Sequence, residues 1–367
     1  MKRFPALPAV ILLTRGILSA QALVNPLLPS GADPWVTQRG GFYYYMNTTG
    51  SSLTIWKTRN MADLATAEKK VVWRPPATGP YSRDIWAPEL HFLRGKWYIY
   101  FAADAGTNAS HRLWVLENDA GDPLSGEWRM KGKVTDATDR WAIDATVFEE
   151  TSRLFMIWSG WRADANGTQN LYIAELSDPW TVKGERIMIS SPEFSWEKVG
   201  DLKPRRDPEE NPGSNLLDPL HVDVNEGPEI LRHDKQIFLI YSAAGCWTDN
   251  YAMGMLTAKA GSNVLDPASW KKNPLPVFAR KFLPVTRWDG GLDALPRESG
   301  ARAGMRESTR AVGTAVHMEG GRHPGFREAC RSRCAGRAAV GRVAVDISVC
   351  PSLGGACFSL PSERGSD

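Results

Sequence analysis

The sequence predicts an all-β fold in which a multi-stranded unit repeats around a common centre, as in a β-propeller. Aromatic-rich β runs recur in four similar units that begin near residues 33, 89, 144 and 226. This spacing of roughly 55 residues, with one long insertion, is close to the repeat lengths that build propellers. No helix-period pattern of any length competes with it. A β-sandwich is the alternative, but it does not explain why acidic residues recur at the same place in successive units.

Each predicted unit has an inner strand followed by two further strands. The runs are residues 33–36, 42–46 and 53–58 in the first unit, 88–92, 97–103 and 112–117 in the second, 144–148, 154–160 and 171–176 in the third, and 227–231, 237–243 and 252–258 in the fourth. Polar and glycine-containing segments at 39–41, 94–96 and 233–235 predict turns between the first two strands of three units. The insertion at 190–220 is rich in Pro, Asp, Glu and Asn, which indicates a loop and not a further domain.

The amino-terminal residues 1–22 are typical of a secretory signal peptide. Lys2 and Arg3 precede an apolar stretch and then small residues. Sequons for N-glycosylation follow at Asn47, Asn108 and Asn166, each near a predicted strand end. Together they predict a secreted, extracellular glycoprotein. No other segment is apolar for long enough to predict a membrane span, so no membrane association is expected.

Residues 285–367 differ in composition from the predicted propeller domain at 25–284. They contain 12 Arg and no Lys, Tyr, Asn or Gln, and nine acidic residues leave this tail with the whole formal charge of +3. A basic tail can bind nucleic acid. Here the arginines alternate with acids and lack interleaved aromatic residues, so no nucleic-acid partner is expected. The composition predicts an irregular tail that is disordered or arises from mistranslation.

Three carboxylates precede apolar β segments: Asp33 in GADPWV, Asp144 in WAIDATVF and Glu226 in VNEGPEI. In a radial repeat, equivalent strand starts point at a common centre. Hydrolysis of a glycosidic bond uses two acids in different environments, and a third can raise the pKa of one of them. Taken singly, Asp33 before a proline and Glu226 before Gly-Pro are ordinary turn residues. Asp144 in an apolar strand start is costly unless it is paired or used.

Tryptophan is unusually frequent, with 15 residues. An indole ring can stack on the apolar face of a sugar, and it can equally fill the core of a β fold. The core is the more common place for any single Trp.

Several stretches carry a more specific resemblance. NPLLPSGADPWV, RDIWAPELHFLRGKWYIYFAA, AIDATVF and NEGPEILRHDKQIFLIYSA occur in this order. They resemble glycoside hydrolase family 43, whose members are five-bladed β-propellers that act on arabinan and xylan side chains. The resemblance covers roughly residues 25–284. The residues of these motifs are most similar to those of the α-L-arabinofuranosidases. This resemblance implies release of terminal arabinofuranosyl units from plant cell-wall arabinan or arabinoxylan by inversion.

The resemblance also implies roles for individual residues. Asp33 is expected to be the general base and Glu226 the general acid. Asp144 is expected to raise the pKa of the acid and to orient it. Trp86, in IWAPE, is expected at the mouth of the pocket as a sugar platform, and Trp35 and His91 are expected to line the site.

The end of the chain departs from the family pattern. Members finish with a fifth blade that carries a Gly-Pro-Gly-His motif, whose His often helps to hold a central calcium ion. Neither His317 nor His323 lies in such a context, so four recognisable blades and no required cofactor or metal ligand are expected. A β-xylosidase, an endo-arabinanase of the same family, and a catalytically impaired carbohydrate-binding propeller remain alternatives.

Overall fold

Four antiparallel sheets of four strands each, with one extra short strand on the last sheet, make up the computed structural model. The model describes residues 26–164, 167–201 and 221–279. The predicted signal peptide, the 285–367 tail with His317 and His323, and the sequon Asn166 lie outside these residues. The described part of the chain contains no helix that is long and apolar enough to cross a membrane.

Each sheet is one blade, with its strands in chain order from the centre outwards. Blade 1 contains β1 (Ala32–Arg39), β2 (Phe42–Thr48), β3 (Leu53–Thr58) and β4 (Glu68–Trp73). Blade 2 contains β5 (Arg83–Leu93), β6 (Lys96–Asp104), β7 (Arg112–Asn118) and β8 (Arg129–Val134). Blade 3 contains β9 (Ala142–Glu150), β10 (Arg153–Trp161), β11 (Gln169–Asp178) and β12 (Thr181–Ser190). Blade 4 contains β13 (Asn225–His233), β14 (Gln236–Ala243), β15 (Ala252–Lys259) and β16 (Lys271–Lys272), with β17 (Phe278–Ala279) also paired to β15.

Short 3-10 helices connect some of these strands. They span Met61–Thr66, Asn108–Ser110, Ser195–Glu197 and Pro267–Ser269. The predicted all-β propeller with four blades is therefore confirmed for the described residues.

The core is formed by apolar layers between successive blades. Along β6, Trp97, Ile99 and Phe101 pack against blade 1. The intervening Tyr98 and Tyr100 pack against blade 3. A third layer joins blades 3 and 4. Because strand side chains alternate between faces, a strand buried on both sides is a continuous apolar run, which is why WYIYFAA shows no polar alternation.

Tight turns join the inner and second strands of every blade, including the one that the sequence did not signal. The turns at 39–41, 94–96 and 233–235 lie where they were expected. In blade 3 the turn residues are Thr151 and Ser152, both at positive φ (50° and 63°). This backbone conformation normally favours Gly or Asn. Because neither residue occurs here, no sequence signal marked the turn.

A buried carboxylate ties blade 4 to the loop that follows blade 3. Both oxygens of Glu197 bind the Lys272 ammonium, at 2.7 and 2.9 Å. The carboxylate also accepts hydrogen bonds from the Tyr241 hydroxyl (2.8 Å), the Asn225 amide (2.9 Å) and the backbone N–H groups of 193–194. Burial lowers the pKa of Lys272, while Glu197 opposes that shift. The cluster fixes Asn225, the first residue of β13.

We predict that Glu197→Gln destabilises the protein strongly, because it leaves the Lys272 charge buried without its counter-ion. A loss of about 3–5 kcal/mol is expected for breaking a buried pair from one side. The double variant Glu197→Gln/Lys272→Met should recover much of this loss, since no buried charge is left. Urea unfolding midpoints of the three proteins measure it, and a double variant no more stable than Glu197→Gln would contradict the explanation.

Candidate active site

A β-bulge at the same level of each inner strand sets the geometry of the centre. In all four blades the inner strand advances by three residues where the neighbouring strand advances by two. The inner-strand intervals are Ala32–Trp35, Trp86–Glu89, Ile143–Thr146 and Glu226–Glu229. The residue that follows the first of each pair has positive φ: Asp33 (50°), Ala87 (42°), Asp144 (57°) and Gly227 (56°). Such a conformation costs a non-glycine residue on the order of 1 kcal/mol. Bulges re-aim side chains, often beside active sites.

This alignment refines the expected equivalence of the three acids. Asp33 and Asp144 occupy the same bulge position, whereas Glu226 lies one residue earlier, at the level of Trp86. The true equivalent of the two aspartates in blade 4 is Gly227. The glutamate therefore approaches the centre from a different angle than the aspartates do.

Hydrogen bonds connect each aspartate to the bulge of the next blade. The Thr48 hydroxyl donates to Asp33 Oδ2 (2.5 Å) and accepts from the N–H of Ala87 (2.7 Å). Asp144 Oδ2 accepts directly from the N–H of Gly227 (2.9 Å). The second bond joins Asp144 to the residue next to Glu226. Both bonds orient a carboxylate and tie neighbouring blades together.

The acids differ in their exposure to solvent. Asp33 is partly exposed, whereas Asp144 and Glu226 are 4% and 2% exposed. Asp33 and Asp144 line one small central cavity together with Trp35. Glu226 lies beside it, where its Oε1 accepts a hydrogen bond from the Tyr251 hydroxyl (2.8 Å). Asp33 and Asp144 thus share one cavity, and Glu226 is next in the chain to Gly227, which also lines it; the catalytic roles of the three acids stay predictions.

Two further carboxyls in the cavity were missed by the sequence reasoning. Glu89 and Glu229 occupy equivalent positions two residues after the bulge. Burial raises the pKa of Glu89 well above its usual value, and the charge of Glu229 adds to the shift. Burial raises the pKa of Glu229 to about 7. The shared Pro-Glu of Ala87-Pro-Glu and Gly227-Pro-Glu was the signal that could have found them.

Trp35 is a lining residue of the cavity, and His91 packs against it. Trp35 lines the cavity, donates its indole N–H to the Leu90 carbonyl (2.9 Å) and lies 4.7 Å from the His91 ring. His91 is 8% exposed and hydrogen-bonds Glu89 at 2.8 Å. Burial lowers its pKa to about 3, so the imidazole is neutral. His91 therefore supports Trp35 and Glu89 from beneath; a contact of either ring with substrate stays a prediction.

Trp86 is not at a pocket mouth. Its side chain is 2% exposed and lies within the core layer between blades 2 and 3. Its ring stacks on His111 with centroids 3.9 Å apart. The placement expected for a sugar platform is thus not observed, because alternation along β5 turns this side chain into the interface.

The two described sequons differ in accessibility. Asn47 is 5% exposed within β2 and donates its amide to the Thr48 carbonyl (3.0 Å). A glycan at this nitrogen would need the strand to open. Asn108 is partly exposed at the start of a 3-10 helix, a place that leaves room for a glycan. Glycosylation of either residue stays a prediction.

The central calcium ion of many family members was not expected to be required here, and the residues that the structure describes are 26–164, 167–201 and 221–279. Within these ranges no group of three or more His, Cys, Asp or Glu residues is arranged to hold a metal ion. We therefore assign no step of the chemistry to a metal.

Comparison with known proteins gives these acids their context. The family model described as Glycosyl hydrolases family 43 matches residues 23–291. The chain belongs to glycosyl hydrolase family 43. It is accordingly a glycosidase that acts on O-glycosyl bonds.

Relatives with named activities are similar over most of the chain. An extracellular exo-α-(1→5)-L-arabinofuranosidase of Streptomyces chartreusis is 36% identical over 75% of this chain and 83% of its own length. α-L-Arabinofuranosidase 43 of Humicola insolens is 35% identical over 73% of this chain, which spans about half (52%) of that protein. The crystal structure of an α-L-arabinofuranosidase from Lactobacillus brevis superimposes with a TM-score of 0.61 at 35% identity, over 71% of this chain and 78% of the other.

We predict that Glu229 makes the stability of this glycosidase pH-dependent. Because burial raises its pKa from 4.5 to about 7, the stability that the protonated carboxyl provides is complete below pH 4.5 and is lost as the pH rises through 7. Glu229→Gln removes this loss, so its free energy of unfolding relative to wild type should rise by on the order of 1–3 kcal/mol across that range. Denaturant unfolding at several pH values measures it. The control is Glu68→Gln, a substitution at an exposed position on β4. Parallel pH curves for Glu229→Gln and wild type would contradict the prediction.

Proposed function

We propose that this chain is a secreted glycosidase that removes terminal α-L-arabinofuranosyl residues from arabinan or arabinoxylan with inversion of configuration. The observation that carries the proposal is that Asp33 and Asp144 line one central cavity, while Glu226 directly precedes Gly227, which lines the same cavity and binds Asp144. Arabinofuranosidase names among the relatives support the sugar, and the names of relatives such as the extracellular Streptomyces chartreusis enzyme support secretion.

Asp33 is the general base of the proposed mechanism. Its carboxylate is partly exposed, so a water molecule can reach it. The hydrogen bond from Thr48 orients this carboxylate through Oδ2. Asp33 would take a proton from this water as the water attacks the anomeric carbon.

Glu226 is the general acid. The neutral form that an acid must hold before reaction is favoured by the low exposure of its carboxyl group and by the negative charge of the nearby Asp144. Its proton would pass to the glycosidic oxygen as the bond breaks. Asp144 acts without touching that oxygen: it holds the Gly227 backbone and thereby the start of the Glu226 side chain.

We expect Glu226→Gln to discriminate between leaving groups. Loss of a general acid reduces the rate by about 10²–10⁴-fold where the leaving alcohol must be protonated. The loss should be large on arabino-oligosaccharides and much smaller on an aryl arabinofuranoside whose phenolate leaves unaided. Steady-state kcat on both substrates tests this, with Glu193→Gln as control in the loop ahead of β13. Equal losses on both substrates would remove Glu226 from the role of acid.

Inversion has its own test. Hydrolysis of an α-L-arabinofuranoside should first release β-L-arabinofuranose, because a single displacement by water inverts the anomeric carbon. Proton NMR of the reaction in its first minutes, before mutarotation, distinguishes the two anomers. Initial release of the α anomer would show a retaining route through a covalent intermediate. The sizes of the products released from debranched arabinan separate exo from endo action.

A further inference from the structure

The loop that joins β14 to β15 is held in one conformation next to the candidate acid. Ala244 begins it at positive φ (64°), and the N–H of Gly245 donates to the Val199 carbonyl (2.7 Å). The N–H of Thr248 closes a turn onto the Gly245 carbonyl (2.8 Å). The loop ends at Tyr251, directly before Ala252 pairs with Ala243 at the strand ends. Tyr251 therefore projects from a fixed backbone.

The Tyr251 hydroxyl reaches one oxygen of Glu226. The distance from the phenolic oxygen to Oε1 is 2.8 Å. On its backbone side Glu226 is fixed by the bond from Gly227 N–H to Asp144 and by its pairing with Ser242 on β14. The Glu226 side chain is thus held at both ends, at its backbone by the strand and at its carboxyl group by the loop.

We propose that Tyr251 is a positioning residue for the general acid, holding Oε1 of Glu226 so that Oε2 carries the proton towards the glycosidic oxygen. The proposal rests on the function proposed above and adds to it a group outside the three acids. A phenol donates its hydrogen bond to either protonation state of the carboxyl, but more strongly to the carboxylate. It therefore stabilises Glu226 most after the proton has left.

Tyr251 and Asp144 then act on the acid in opposite directions. The negative charge of Asp144 raises the pKa of a neighbouring carboxyl, and a hydrogen bond donated to the carboxylate lowers it. An acid needs both influences, because it must hold its proton before reaction and release it during the bond cleavage.

Other ionisable groups line the adjoining cavity or lie close to Glu226 and Tyr251 in the chain. Asp33, Glu89 and Glu229 line the adjoining cavity from β1, β5 and β13. The His221 imidazole lies ahead of β13 between Asp201 (2.6 Å) and Asp223 (2.7 Å), which raise its pKa. Asp249 lies two residues before Tyr251 in the loop. All of these groups remain in a Tyr251→Phe variant, so a change in its pH profile reports the lost hydroxyl.

The test compares pH profiles of kcat/KM for wild type, Tyr251→Phe and Asp144→Asn on a substrate with a poor leaving group. Activity falls at high pH as the acid loses its proton. Tyr251→Phe should move this basic limb upward by about 0.5–1 pH unit and lower kcat by roughly tenfold, since the carboxylate product is less stabilised. Asp144→Asn should move the limb downward. The loss from Tyr251→Phe should shrink on an activated aryl substrate.

Tyr43→Phe on β2 is the matched control, because Tyr43 is partly exposed and lies five residues before the Thr48 that binds Asp33. Its profile should match wild type. An unshifted basic limb in Tyr251→Phe, or an equal loss of kcat on both substrates, would overturn the positioning role even if the variant's thermal midpoint fell. Absence of arabinofuranoside hydrolysis by the wild-type chain would instead refute the proposed function.

Discussion

The hydrogen bonds that run from an aspartate carboxylate to the bulge of the following blade are the interactions on which the candidate site depends. Through Thr48, Asp33 is joined to Ala87, and Asp144 is joined to Gly227. Each bond orients a carboxylate, and each satisfies an N–H that the bulge takes out of the regular ladder. The same bonds therefore satisfy the backbone at the bulges and orient the carboxylates of the candidate site.

The positive φ of the bulge residues belongs to this arrangement. Aspartate tolerates the left-handed region better than most residues, because its short side chain can bond locally. In blades 1 and 3 the bulge residue itself supplies the carboxylate, and in blade 4 it is a glycine with the glutamate beside it. Ala87 adopts φ 42° without supplying a functional group. Its retention of the bulge keeps the N–H in place for Thr48.

The centre of the propeller concentrates carboxyl groups whose charges cannot all be present together. Glu89 and Glu229 have raised pKa values for which burial is the first cause. Protonation of these two groups at moderate pH limits the negative charge around Asp144. Neutral His91 beneath them adds no positive charge that would reverse the effect. Two carboxyls that carry no assigned step thus reduce the negative charge inside the cavity.

The blades and most turns could be predicted from sequence because β runs, their period and glycine-marked turns are local signals. The Thr151–Ser152 turn could not, since it adopts positive φ without Gly or Asn. Asp33, Asp144 and Glu226 were predicted because each precedes an apolar β run, but only the two aspartates occupy equivalent positions in the blades. Trp86 was misplaced because the side to which a strand residue points depends on the bulge register, which the sequence does not show. Tyr251 lies 25 residues from Glu226, and only the folded loop brings them together.

The order of the blades has a mechanical consequence for the enzyme. The proposed base stands on blade 1 and the proposed acid on blade 4, and the apolar layers join blade 1 to 2, 2 to 3 and 3 to 4. The gap between base and acid, which decides whether a water molecule fits between sugar and base, therefore depends on how these three layers space the blades around the common centre. Large side chains such as Phe101, Met156 and Phe155 fill these layers and set the spacing between neighbouring blades. Repacking them would tune the width of the site without altering a single group that faces the sugar.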